Sequence, residues 1–294
     1  MDLSPVFPLL QKAEPSHLQI IMAEKLNSVH ALPWAPDKQT LLVGSISPNL
    51  FSVIAKIYPN DHICFIASSG SVINVQLNTI PNDITGVLLP PIARKPSLES
   101  FTEIMAHLRD PETGCPWDKE QTFSSLRKHI QEEAYEVMDA LDSNDPHNIN
   151  EELGDLLMLI VMTAQIGVES GDFNVYTVLN GITEKMLRRH PHIFGDVKID
   201  SVDDVLINWQ KIKADERKQK GQAEKGVLDG LPRSMPALSQ ALEMQARAAK
   251  VGFDWPQIDG VLDKVVEELN EIRNAQNHPE LVSEIGDLLF VLVN

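Results

Sequence analysis

A chain of 294 residues with 43% hydrophobic and 5% aromatic residues has the composition of a soluble globular protein of about two domains. Its formal net charge of -17 argues against a duplex-binding surface, because nucleic-acid binders present clustered Lys and Arg to phosphates. A nucleotide ligand stays open, since clustered carboxylates hold divalent cations and those cations hold phosphates.

The start, "MDLSPVFPLLQKAEP", lacks a basic segment followed by a signal-type apolar run. The run "LLMLIVMTAQIGV" reads as too short and too amphipathic for a membrane span. No membrane partner and a cytoplasmic location are therefore expected. The two cysteines, Cys64 and Cys115, lack metal-ligand spacing and are expected to be buried thiols.

From about Lys38 to Pro91, β-rich runs alternate with turn residues: "TLLVGSI", "HICFIASS", "VINVQL" and "ITGVLLPP". The intervening "PNLFSVIAKIYPND" reads as a helix, so a small α/β or α+β segment is predicted over residues 1–95. The proline-rich "PPIARKPS" marks a boundary. Helical spacing then predicts a helix in "LESFTEIMAHLRD", stopped by Pro111, and "PETGCPWDKEQTF" reads as a loop. "TFSSLRKHIQEEAYEVMDALDS" is an amphipathic helix with Leu126, Ile130, Tyr135, Val137, Met138 and Leu141 on its apolar surface. "NDPHN" breaks it. "INEELGDLLMLIVMTAQIGVESG" forms a second helix, and "VYTVLNGITEKMLRRH" a third that ends near Pro191.

The C-terminal region repeats part of this pattern. "GCPWDKEQTF … EEAYEV … EELGDLLMLIV" has its counterpart in "GFDWPQIDG … EELNEI … SEIGDLLFVLV", which points to an internal duplication. The second copy stops at Asn294 within an apolar helix and is expected to be incomplete.

Acids stand at chemically suggestive positions in both copies. Glu133 and Glu136 are i, i+3 on one helix, and Glu152 and Asp155 are i, i+3 on the next. The turn between them predicts an antiparallel hairpin, and the flanking apolar residues place both pairs near the helix interface. Four ionised carboxylates there are costly without a counter-charge, and hard divalent cations such as Mg²⁺ remove that cost. The ordinary alternative is a solvated acidic face, and it suits Glu132 and Glu151. A di-iron bundle requires E-x-x-H on two of its helices, which neither segment has.

Lys185, Arg188 and Arg189 share one face near the end of the third helix. They either complement its C-terminal dipole, worth about 0.3–1 kcal/mol, or clamp phosphate oxygens. Trp117 is either core or cover for a base.

Taken together, "LRDPETGCPWDKEQTF", "EEAYEVMDA", "EELGDLL", "RRHPHIFGD", "GLPRSMPAL", "VGFDW" and "EIGDLLF" resemble the MazG family of nucleoside triphosphate pyrophosphohydrolases, from about Phe101 to Asn294. The resemblance implies a mainly α fold. It consists of two tandem all-α helical domains, residues 96–225 and a shortened 226–294, after the small α/β segment. It also implies Mg²⁺-dependent hydrolysis of NTPs to NMP and pyrophosphate on a homodimeric scaffold, with Mn²⁺ as a substitute cation. The implied metal ligands are Glu133, Glu136, Glu152 and Asp155, then Glu268, Glu271, Glu284 and Asp287, the first four being also the catalytic set. Lys264, four residues before Glu268, stands where the family places a nucleotide-contacting Lys, with Glu267 beside it; the matching first-copy position is His129. Trp117, Lys185, Arg188 and Arg189 complete the implied substrate contacts. More weakly, residues from about Lys38 to Ile92 resemble the C-terminal part of a tetrapyrrole methylase domain without its glycine-rich cofactor loop, so no methyl transfer is expected. A helical dimerisation module that binds nucleotide or metal without turnover is the alternative.

Overall fold

The computed structural model describes residues 4–14, 18–68, 71–81, 84–92, 97–199, 201–219, 221 and 226–294. Residues 93–96 of the proline-rich boundary and residues 222–225 before the second helical domain lie outside that set. The chain divides into two compact units, Met1–Met186 and Leu187–Asn294.

The first unit opens with α1 (Phe7–Lys12), β1 (Leu18–Met22), β2 (Gln39–Val43), α2 (Pro48–Ala55), β3 (Ile63–Ser68), β4 (Ser71–Gln76) and β5 (Gly86–Leu89). The strands form one sheet in the order β1-β2-β5-β3-β4. The β1–β2 pair is parallel and the other pairs are antiparallel. Side chains on β2 alternate between faces, as the pleat requires. Leu41 and Val43 pack with Val6 and Leu9 from the α1 end, whereas Leu42 packs with Leu50 and Ile54 of α2. On the α2 side Trp34 Nε1 donates to Tyr58 Oη at 3.2 Å, so both large rings enter the core with their polar atoms paired. Cys64 is buried there, and burial pushes its thiol up to about 12. The four β-rich runs and α2 stand where the sequence placed them. The edge strand β1 and helix α1 were not anticipated.

Helices follow: α3 (Leu98–Leu108), α4 (Pro116–Glu120), α5 (Phe123–Ser143), α6 (Pro146–Ser170) and α7 (Val175–Arg189), whose last residues belong to the second unit. Ser97 caps α3, accepting from Ser100 N at 3.2 Å, and its hydroxyl donates to Asp37 at 2.8 Å. Ser100 also donates to Asp37, tying α3 to the sheet segment. Thr122 and Ser125 form a reciprocal capping box at the start of α5, satisfying two end donors at once. Between α5 and α6 the expected hairpin turn has identifiable chemistry. Asn144 takes the left-handed conformation (φ 54°), Asp145 accepts from His147 N at 3.0 Å, and Pro146 occupies the first helical position.

The helical core holds Met105 of α3, Leu126 of α5, and Leu159, Val161, Met162 and Ile166 of α6. Two expectations need correction. The stretch read wholly as loop contains α4, begun by Pro116, and Cys115 is partly exposed, not buried. The apolar run belongs to a 25-residue helix that is long and apolar enough to cross a membrane by length and composition. Its buried residues pack on α3 and α5.

The second unit contains α8 (Pro191–Phe194), α9 (Val202–Gln219), α10 (Ala237–Ala249), α11 (Ile258–Asn274) and α12 (His278–Leu292). The α11–α12 hairpin corresponds to α5–α6. Asn277 caps α12 by accepting from Glu280 N at 3.0 Å, and Gln245 Nε2 of α10 donates to Phe290 O of α12 at 2.6 Å.

Candidate active site

On α5 and α6 the i, i+3 spacing turns Glu133, Glu136 and Glu152 toward a common space. Each offers a carboxylate oxygen, and the three atoms lie within 4.8 Å of one another. Glu133 Oε2 is shielded from solvent and has no hydrogen-bond partner. Burial, followed by the charges of Glu136, Asp155 and Glu152, raises the Glu133 pKa above the ordinary carboxylate value. Burial, then Glu136 and Asp155, raises that of Glu152. Asp155 is therefore electrostatically close, but it lies outside the 4.8 Å set. The nearby basic groups on α5 are engaged elsewhere. Lys128 Nζ and His129 Nδ1 both pair with Glu132, at 3.1 and 3.4 Å. Glu151 faces His147 at 3.9 Å.

The α11–α12 hairpin repeats the arrangement with Glu268, Glu271 and Glu284, again within 4.8 Å. Glu268 is 3% exposed, and its Oε2 also lacks a partner. Burial, then the charges of Glu268 and Glu284, raises the Glu271 pKa. Asp287 is exposed and outside the set. Here an ammonium is present: Lys264 Nζ lies 2.7 Å from Glu268 Oε1 and 2.9 Å from Glu267 Oε1. Oxygen donors with an unpaired, desolvated carboxylate atom suit a hard divalent cation, so the residues of both clusters fit the implied metal.

Trp117 is 50% exposed, so it is not a core residue. Its ring stands edge-on to His129, with centroids 5.8 Å apart, one helical turn before Glu133. The segment carrying it is held rigidly. Asp110 Oδ1 accepts from Thr113 N at 2.6 Å and Glu112 N at 3.0 Å, and a Cβ at Gly114 would strike the Leu108 and Asp110 carbonyl oxygens. Arg109, only 7% exposed, reaches across to α6, donating from Nε and Nη2 to Glu169 at 2.7 and 2.6 Å. Its Nη1 donates to the carbonyls of Asp118 and Gln121. This buried guanidinium ties the C-terminal half of α4 to α6, and the sequence pattern did not reveal it.

In the second unit, Arg188 Nε and Arg189 Nη2 each pair with Glu216 of α9 at 2.7 Å. The two guanidiniums pull the Glu216 carboxyl down to about 2. Lys185 lies on the same helix, three residues before Arg188. The Arg pair expected to be open to phosphate thus holds an internal carboxylate.

Residues 121–194 match the model of the MazG nucleotide pyrophosphohydrolase domain, a span that includes the first acid cluster. The nucleoside triphosphate pyrophosphohydrolase of Escherichia coli K12 is 44% identical over 202 residues, covering 67% of this chain and 76% of that protein. This chain belongs to the MazG family. Another MazG protein, the nucleoside triphosphate pyrophosphohydrolase/pyrophosphatase of Thermotoga maritima, is 43% identical over 196 residues, covering 67% of this chain and 74% of that one. The uncharacterized protein YabN of Bacillus subtilis is 40% identical over 254 residues, covering 80% of this chain and 51% of the relative.

Proposed function

We propose that this MazG protein hydrolyses nucleoside triphosphates to nucleoside monophosphates and pyrophosphate, using carboxylate-held Mg²⁺, or Mn²⁺ in its place. The observation that carries the reading is the convergence of three carboxylate oxygens within 4.8 Å, with a desolvated, unpartnered Glu133 Oε2. The names of the E. coli and T. maritima relatives support the same reaction class.

Glu133, Glu136 and Glu152 would hold the cation, with Asp155 adding negative charge beside them. The bound cation supplies positive charge at the phosphate chain and makes water more acidic. Glu133 would accept the proton of the attacking water. The exposed Trp117 ring offers a stacking face for a base. In the second copy, Glu268, Glu271 and Glu284, with Asp287 nearby in sequence, form the corresponding set, and Lys264 with Glu267 contacts the nucleotide. Lys185, Arg188 and Arg189 neutralise phosphate charge, which for the two arginines requires exchange of Glu216 for phosphate oxygens.

A second copy of the chain is the proposed partner. Ile130, Tyr135, Met138 and Leu141 on α5, and Leu153, Leu157 and Ile160 on α6, are 37–52% exposed, an apolar surface suited to packing between copies. An NTP and dNTP panel with Mg²⁺, resolved by ion-exchange chromatography, tests the activity. NMP and pyrophosphate in equal amounts are expected. NDP with orthophosphate, or nucleotide binding without product, would replace this reading.

A further inference from the structure

The two acid clusters have the same donors but different counter-charge. At the first, the helical position one turn before Glu133 holds His129, whose ring pairs with Glu132 at 3.4 Å. No ion pair to Glu133, Glu136 or Glu152 occurs among the described residues. At the second, the same position holds Lys264, 2.7 Å from Glu268. Glu268 is almost wholly buried, and its remaining oxygen has no partner. One cage therefore has all its repulsion uncompensated, and the other already contains a positive charge.

Resting on the proposed cation-binding role of these clusters, we propose that Lys264 is an internal counter-ion that weakens divalent-cation binding at the second cluster relative to the first. A cation entering between Glu268, Glu271 and Glu284 must compete with Nζ for Glu268 Oε1, because the ammonium and a metal ion repel each other at that separation. Lys264 can yield. Its side chain is one-third exposed, its stem is flexible, and Glu267 at 2.9 Å offers it a second carboxylate nearer solvent. The ammonium released from Glu268 is then available to an anionic oxygen. At the first cluster a cation displaces no ammonium from its ligands, so it binds there at lower concentration.

The test is Mn²⁺ binding to the full chain, read from the free-ion EPR signal. Two classes of site are expected, the tighter removed by Glu152→Gln and the weaker by Glu284→Gln. Lys264→Met should tighten the weaker class by about tenfold, the scale of one charge-assisted contact, and Lys264→Arg should leave it weak. The transplant His129→Lys should weaken the tighter class by about the same factor. Binding to both cages with Lys264→Met unchanged or weaker overturns the counter-ion role while leaving the cages intact. An unchanged tight class in His129→Lys does so too, even if Lys264→Met fails to fold. Mn²⁺ binding insensitive to both Glu→Gln changes would instead overturn the cage assignment itself.

Discussion

The Arg109–Glu169 pair makes an asymmetric demand that mutation can expose. Arg109 has a side chain 5% exposed, whereas that of Glu169 is 39% exposed. Replacing Arg109 with Met leaves Glu169 able to recover water, and the Met chain fills part of the space of the alkyl stem. The main loss is at the Asp118 and Gln121 carbonyls, which give up a charged donor; a cost of about 2 kcal/mol is expected. Replacing Glu169 with Ala instead strands a guanidinium in a desolvated site, expected to cost about 4 kcal/mol. Once Arg109 is gone, removing Glu169 should cost little more, so the double variant should resemble Arg109→Met. The coupling between the two sites is then about 4 kcal/mol or slightly less. Urea denaturation followed by far-UV circular dichroism gives the four free energies. Amide exchange in α3, α5 and α6 assigns them to the right unit. Additive effects within about 0.5 kcal/mol, or Arg109→Met costing clearly more than Glu169→Ala, would refute the reasoning.

The same pair sets a pH dependence. Arg109 holds the Glu169 carboxyl below its ordinary value, so its stabilisation is present above the unfolded value near 4.5 and is lost as pH falls through the lowered one. Arg109→Met should flatten that part of an acid-unfolding curve, and an unchanged curve would count against the pairing. Neighbouring residues on α6 should separate core from surface. Leu159→Ala, at a 2% exposed position, should cost about 3 kcal/mol. Ile160→Ala, at 46% exposed, should cost under about 0.5 kcal/mol in the monomer but weaken self-association in sedimentation equilibrium. Two glycines of α6 should respond oppositely. Gly154→Ala meets nothing within 4 Å and should stabilise the monomer by up to about 1 kcal/mol. At Gly167 a Cβ would sit 2.8 Å from the Phe173 ring, so Gly167→Ala should lower the melting temperature.

Local chemistry was the legible part of the sequence. The 3.6-residue period placed α5, α6 and α7, and Asn144, Asp145 and Pro146 form the turn that "SNDPHN" announces. The i, i+3 acids could be assigned to shared helix faces because that spacing is fixed by helix geometry. Spacing alone does not fix how far one helix slides along its partner. Asp155 and Asp287, in register with the other acids by sequence, fall outside the 4.8 Å sets. Partners distant along the chain were invisible for a related reason. Neither the reach of Arg109 to Glu169 nor the capture of Arg188 and Arg189 by Glu216 leaves a local pattern. The polar, charge-rich α9 that carries Glu216 shows little apolar periodicity to announce it. Helix α4 was overlooked because its five residues, headed by Pro116, look like turn sequence until Arg109 supplies the anchor.

The central claim is tested most directly by pyrophosphate release from NTPs in the presence of Mg²⁺, comparing the unaltered chain with the combined Glu152→Gln and Glu284→Gln variant, both verified as folded by circular dichroism. Mg²⁺-dependent release by the unaltered chain, and its loss in the double variant, is the expected result. Undiminished turnover in the double variant would contradict the assignment of these carboxylates to the reaction.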